Sequence, residues 1–123
     1  MNKIKSFTDL IAWQEGHKLV LQVYKVTSNF PSKETFSLTD QMRRCVVSIT
    51  SNISEGFSRH GQKEKLQFYY ISLGSLSELQ NQLLIARDLG YLDNVLFMKL
   101  AEDSVLVSKL INGLIKSVKS LNT

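Results

Sequence analysis

The stretch from Phe36 to Phe57, FSLTDQMRRCVVSITSNISEGF, constrains this chain more than any other. At about 100° per residue, Leu38, Gln41, Met42, Cys45, Ile49, Asn52 and Gly56 share one helical face. Val46, Val47, Thr50 and Phe57 form a second apolar sector roughly 100–160° away, which Arg43 shares. Only Arg44, Ser51, Glu55 and Ser58 mark a plainly polar side. A helix in a monomeric bundle needs one apolar stripe, so the second sector wants a cover. Either helices 1 and 3 enclose it or another copy of the chain does. Large exposed apolar patches are uncommon on monomers. The expectation is therefore a subunit interface built from Arg43, Val46, Val47, Thr50 and Phe57.

Hydrophobic periodicity places three more helices around this one. The first spans about Thr8 to Ser28, capped by Thr8 or Asp9, with Leu10, Trp13, His17, Val20, Leu21 and Tyr24 on its inner face. It stops at Asn29-Phe30-Pro31, because proline disfavours helix in the residue before it. The second starts at Ser37, with Asp40 in capping-box position, and ends near Ser58 at the turn Arg59-His60-Gly61. The third, about Gln62 to Leu89, turns Leu66, Tyr69, Leu73, Leu76, Leu83 and Leu84 inward and ends at a left-handed Gly90. The fourth, about Asp93 to Leu121, repeats Leu96, Leu100, Val107, Leu110, Leu114, Val118 and Leu121, widened by Phe97, Ala101, Ile111 and Ile115. No strand-like alternation appears. Short connections favour antiparallel neighbours, so residues 1–123 form one all-α domain, an antiparallel up-down-up-down four-helix bundle with helices at about 8–28, 37–58, 62–89 and 93–121.

Composition closes off several function classes. An apolar fraction of 43% with 21% charged residues is ordinary for a globular protein. No stretch reaches the length of a membrane span and no apolar leader follows the N-terminus, so a cytoplasmic chain that avoids membranes is expected. The single Cys45 has no internal disulfide partner and reads as a reduced, packed thiol. A di-iron bundle needs Glu-x-x-His pairs, and none exists; Glu15-Gly16-His17 has the wrong spacing. Two histidines and one cysteine on different helices are poor material for zinc. His17 reads as a hydrogen-bonded core or interface histidine, and Gly74 as a point of close helix packing. No catalytic residue, cofactor or metal is expected.

Topology turns a modest charge excess into a polarised one. The N-terminus, the connection between helices 2 and 3, and the C-terminus must share one end. There Lys3, Lys5, Arg59, Lys63, Lys65, Lys116 and Lys119 face only Asp9, Glu55 and Glu64, an excess equal to the formal +4 of the whole chain. The opposite end balances Lys25, Lys33, Arg43, Arg44, Arg87 and Lys99 against Glu34, Asp40, Asp88, Asp93, Glu102 and Asp103. In a cyclic oligomer the basic ends would form a rim able to hold a phosphate backbone without reading sequence. The plainer alternative is a lysine-rich end that keeps the protein soluble. Glu55, Glu78 and Asn52 read as a structural polar network that fixes helix register, with Ser48, Ser51, Tyr69 and Tyr70 as donors.

Several segments occur in order at compatible spacing: Leu10-Ile11-Ala12-Trp13-Gln14, Phe30-Pro31 with Glu34, Leu38-Thr39-Asp40-Gln41-Met42-Arg43-Arg44, Ser48-Ile49, Ser51-Asn52-Ile53-Ser54-Glu55-Gly56-Phe57, Gly74-Ser75-Leu76-Ser77-Glu78-Leu79 and Leu89-Gly90-Tyr91-Leu92. Over residues 7 to about 115 they resemble the bacterial four-helix-bundle proteins encoded in intervening sequences of 23S rRNA genes. That family is also similar to the accessory variability protein of diversity-generating retroelements. The resemblance implies a homopentameric barrel whose basic surface engages rRNA or other nucleic acid, and a reverse transcriptase as a further partner. Thr50 stands where the family commonly has proline, so the kink that proline imposes is expected to be absent.

Two function classes follow. The first is a non-catalytic oligomer that binds RNA through Lys3, Lys5, Arg59, His60, Lys63, Lys65, Lys116 and Lys119. The second is a protein-interaction scaffold that ignores nucleic acid.

Overall fold

A computed structural model describes residues 3–121, and every regular element among them is helical. The long helices are α1 (Ile11–Thr27), α2 (Leu38–Ser58), α3 (Gln62–Asp88) and α4 (Asn94–Ser120), with short 3-10 turns at Phe7–Asp9 and Ser32–Glu34. Each helix packs on the next and α4 returns to α1, which closes the expected four-helix bundle.

Helix ends differ from the expected caps in instructive ways. Ser6 replaces Thr8 or Asp9 as the N-terminal cap, and it caps the 3-10 turn rather than α1. Its hydroxyl accepts from the Thr8 N–H at 3.2 Å, while the Asp9 carboxylate accepts from the Ser6 and Lys5 N–H groups at 3.1 and 2.9 Å. The Ser37–Asp40 capping box does not form. Glu34 reaches forward instead, accepting from the Leu38 N–H at 3.4 Å, and Asp40 pairs with Arg44 at 3.0 Å. The expected left-handed Gly90 is found, at φ +81° after α3; Asp93, expected as the first residue of helix 4, stands just before it and caps α4 by accepting from the Leu96 N–H at 2.8 Å.

The core is a continuous stack of fully buried aliphatic side chains: Leu19 and Val23, Met42, Val46, Ile49 and Ile53, Leu76, Leu79 and Leu83, then Leu100, Val107 and Ile111. Burying each Leu, Ile or Val contributes about 1.5–3 kcal/mol. On α1 the buried face is Ala12, Gly16, Leu19, Val23 and Thr27, not the expected face. The small residues decide it, because they let α1 lie close against α2: a Cβ on Gly16 would stand 3.0 Å from the Thr50 methyl. Trp13 and Val20 are left half-buried, while His17, Leu21 and Tyr24 face solvent.

The same contact corrects the reading of α2. Val46 is fully buried and Thr50 nearly so, both enclosed by the chain's own helices, so neither can meet another subunit. Helix 2 is wedged between its neighbours along that part of the sector. With Thr50 in place of proline, α2 runs unbroken from Leu38 to Ser58. At Gly56 the Tyr69 ring of α3 lies against α2, where a Cβ would fall 2.6 Å from it. Gly74, by contrast, has no neighbour within 4 Å of the Cβ position. The close packing expected there does not exist.

Candidate nucleic-acid interface

Up-down-up-down connectivity brings the N-terminal segment, the α2–α3 turn and the end of α4 to one end of the bundle. Side chains tie these pieces together. Gln62 Nε2 at the start of α3 donates to the Val118 carbonyl near the end of α4. Lys119 Nζ lies 5.6 Å above the Tyr70 ring.

The eight basic residues singled out at this end divide by what they already hold. Lys65 is committed to the fold: its Nζ donates to the carbonyls of Phe57 at 2.8 Å and Gly56 at 3.2 Å, where α2 ends. Partial burial draws its pKa below the ordinary lysine value. It is a cap for orphan carbonyls rather than a free phosphate contact. Arg59 is also engaged, at 3.1 Å from Glu55 and 4.0 Å from Glu64, with its guanidinium 4.9 Å over the Phe68 ring. Lys3, Lys5, His60, Lys63, Lys116 and Lys119 are exposed, and none has a carboxylate partner among the described residues.

A second feature becomes visible only when helix faces are laid side by side. On α3, Lys63, Gln67, Tyr70 and Gly74 recur at four-, three- and four-residue intervals. On α4, Lys109, Asn112, Lys116 and Lys119 recur at three-, four- and three-residue intervals. All eight residues are exposed. The Gln80–Ser104 hydrogen bond at 3.1 Å and the Gln62–Val118 bond fix the antiparallel register, which sets Tyr70 about level with Asn112. The two stripes lie on the outward sides of adjacent helices, meet where Lys119 Nζ stands over the Tyr70 ring, and contain no acidic residue; Glu64, next to Lys63, is turned toward Arg59. Sorting charges by bundle end does not find Lys109, Gln67 and Asn112, and Tyr70, expected as a donor to the polar network, stands on this outward face instead.

The polar network expected from Asn52, Glu55 and Glu78 does not assemble. Glu55 is exposed and pairs with Arg59, while Glu78 is exposed and accepts from Gln82 Nε2 on its own helix, at 3.5 Å. Asn52 donates back along its own helix, to Ser48 O at 2.8 Å and Ser48 Oγ at 3.0 Å. The seam is instead fixed by smaller groups. The Ser48 and Ser75 hydroxyls lie 2.8 Å apart, Cys45 Sγ donates to the Ser75 carbonyl at 2.9 Å, and Ser72 Oγ donates to the Ile49 carbonyl at 2.8 Å. Burial, reinforced by the nearby Glu78 charge, pushes the Cys45 thiol up to about 12. It stays protonated and is no nucleophile at neutral pH.

On the α1–α2 side the surface is apolar and aromatic. His17 stacks on Trp13 at 4.7 Å with an 11° interplanar angle, and Phe7 meets Trp13 edge-on at 5.4 Å. His17 is thus an exposed stacking partner, not a core histidine. Leu21, Tyr24 and Val47 are exposed beside them, and Phe57 is half-buried. Arg43 belongs to the fold: Nε donates to Thr27 Oγ1 at 2.9 Å, Nη2 to the Tyr24 carbonyl at 3.3 Å, and the guanidinium lies 4.7 Å over the Tyr24 ring. Among the described residues, no group of three or more acidic, histidine or cysteine side chains is placed to hold a metal, and no helix is long and apolar enough to cross a membrane.

These features define a four-helix bundle with one polarised basic end and a serine-lined α2–α3 seam. The model of the 23S rRNA-intervening sequence protein family matches residues 8–113, and the chain belongs to that family. A crystal structure of a protein of unknown function from the S23 ribosomal protein family of Bacteroides thetaiotaomicron superposes with a TM-score of 0.80 at 18% identity, over 86% of this chain and 96% of the other. That likeness supports the fold. No curated protein matches the chain.

Proposed function

We propose that this protein is a non-catalytic, self-associating RNA-binding protein of the cytoplasm that holds phosphate backbones at its basic end. One observation carries the reading. Three separate segments deliver Lys3, Lys5, His60, Lys63, Lys116 and Lys119 to the same end, exposed and without carboxylate partners, while the other charges of that end are consumed internally. Lysines arranged this way release counterions on meeting a polyanion. Self-association uses the α1–α2 side, where Trp13, His17, Leu21, Tyr24, Val47 and Phe57 leave apolar surface open.

Size-exclusion chromatography with light scattering, with and without a fragment of 23S rRNA, tests both parts. The expected result is an oligomer that gains mass with the RNA at low salt and loses it at high salt. A monomer that never co-elutes with RNA overturns the proposal. The aromatic α1–α2 side also favours a second reading, a protein scaffold indifferent to nucleic acid. A salt-resistant oligomer that leaves RNA untouched selects it.

A further inference from the structure

The outward faces of α3 and α4 extend the basic end along the side of the bundle, and the geometry points to a binding track there for an unpaired stretch of polynucleotide. The inference rests on the RNA-binding reading above and names the form of nucleic acid. Lys63, Lys116 and Lys119 start the track at the basic end, and Lys109 lies further along it. From Lys63 to Gly74 the α3 stripe rises about 17 Å. Lys63, Lys109 and Lys116 have no carboxylate partner among the described residues, so their charge is available to phosphates.

Charge alone would not separate a single strand from a duplex. Tyr70 does. The residue is 48% exposed, and its ring is held in the middle of the track with Lys119 Nζ above it at 5.6 Å. A flat aromatic face beside cations offers stacking to a base, and only an unpaired base can turn its face to a protein side chain. Gln67 and Asn112 add exposed amides on either side, Asn112 keeping its second N–H and its carbonyl free of the bond that it donates to the Ser108 carbonyl at 3.0 Å. Gly74, one turn beyond Tyr70, has open space where a Cβ would stand. Glycine inside a helix costs roughly 0.5–1 kcal/mol relative to alanine, and no packing within the chain asks for it here. A bare backbone at that point lets a strand approach the helix closely.

The test uses fluorescence anisotropy with the whole protein and two probes: an oligouridylate of about 12 nucleotides, within the range of sites used by single-strand binders, and an RNA duplex of matching length. The single strand is expected to bind more tightly at equal salt. Tyr70→Ala should weaken it roughly five- to 150-fold, the span reported for losing one base–aromatic stack, and should leave the duplex unchanged. Tyr70→Phe, which keeps the ring, should retain binding, and Lys109→Gln should weaken it and lower its salt dependence. Wild-type binding that survives Tyr70→Ala intact, or a duplex that binds as well as the single strand, overturns the track while leaving the RNA-binding reading in place. Failure of both probes to bind the wild type overturns both.

Discussion

The two ends of the bundle are built from the same four helices and treat their polar groups in opposite ways. At the end that carries the α1–α2 and α3–α4 connections, polar side chains find each other. Tyr91 donates to Glu34 at 2.7 Å, Glu34 also receives the first N–H of α2, and the Tyr91 ring packs 5.2 Å from the buried Phe30. One carboxylate and one tyrosine thus tie two connections together. At the other end, Lys65 and Arg59 are spent on the α2–α3 turn, and the remaining lysines are exposed with no carboxylate partner among the described residues. The first end is organised to hold the fold. The second carries charge that the fold does not use, which is why we propose it as the surface for a partner.

That contrast can be broken or sharpened by substitutions, taken from the largest expected effect downward. Gly56→Ala strikes the framework beneath the basic end, because its Cβ would collide with the buried Tyr69 ring. A loss of about 1–3 kcal/mol is expected in urea unfolding, as for other overpacked sites. A gain, as helix propensity alone would give, would show that the ring has room to move. At the opposite end, Tyr91→Phe should lower the urea midpoint and remove a pH dependence. The phenol hydrogen bond holds the Glu34 carboxyl below its ordinary 4.5, and the same bond raises the Tyr91 phenol above its ordinary 10. A depressed acid contributes stability above its unfolded value and loses it as pH falls through the folded one. A raised tyrosine contributes below its unfolded value and loses it as pH rises through the folded one. The gap between wild type and Tyr91→Phe should therefore be flat at neutral pH and close at both acid and alkaline extremes. A gap independent of pH would argue that the ring contact, not the hydrogen bond, links the connections.

Smaller effects belong to the open surface. Gly74→Ala should stabilise by about 0.5–1 kcal/mol, since nothing crowds the new methyl and alanine favours helix. Destabilisation would reveal an unseen constraint on the α3 backbone. Lys63→Gln with Lys116→Gln should shift unfolding by no more than about 0.5 kcal/mol, as for surface residues without partners. A larger loss would place these lysines among the structural charges, with Lys65.

The fold was readable because four apolar periodicities, one proline and Gly90 punctuate the chain without ambiguity. The choice of face on α1 was not. Trp13, Leu21 and Tyr24 carry more apolar area than Ala12 and Gly16, yet the small residues win the interior because they permit close approach to Thr50. A periodicity weighted by hydrophobicity rewards bulk and overlooks that choice. The basic end was legible from topology alone, since helix order fixes which segments meet. The division of labour within it was not legible, because it depends on which carbonyls Lys65 can reach and which carboxylates Arg59 finds. The α3–α4 stripes lay in plain spacing but required the register between two helices before they joined into one surface.

The salt dependence of RNA affinity tests the central claim most directly. For a single-stranded RNA, log affinity should fall steadily with log salt, and neutralising Lys63, Lys116 and Lys119 together should reduce that slope by about 2, the share of three phosphate contacts, with the fold intact. An affinity indifferent to salt, or a slope unchanged by the triple substitution, would contradict a phosphate-binding role for the basic end.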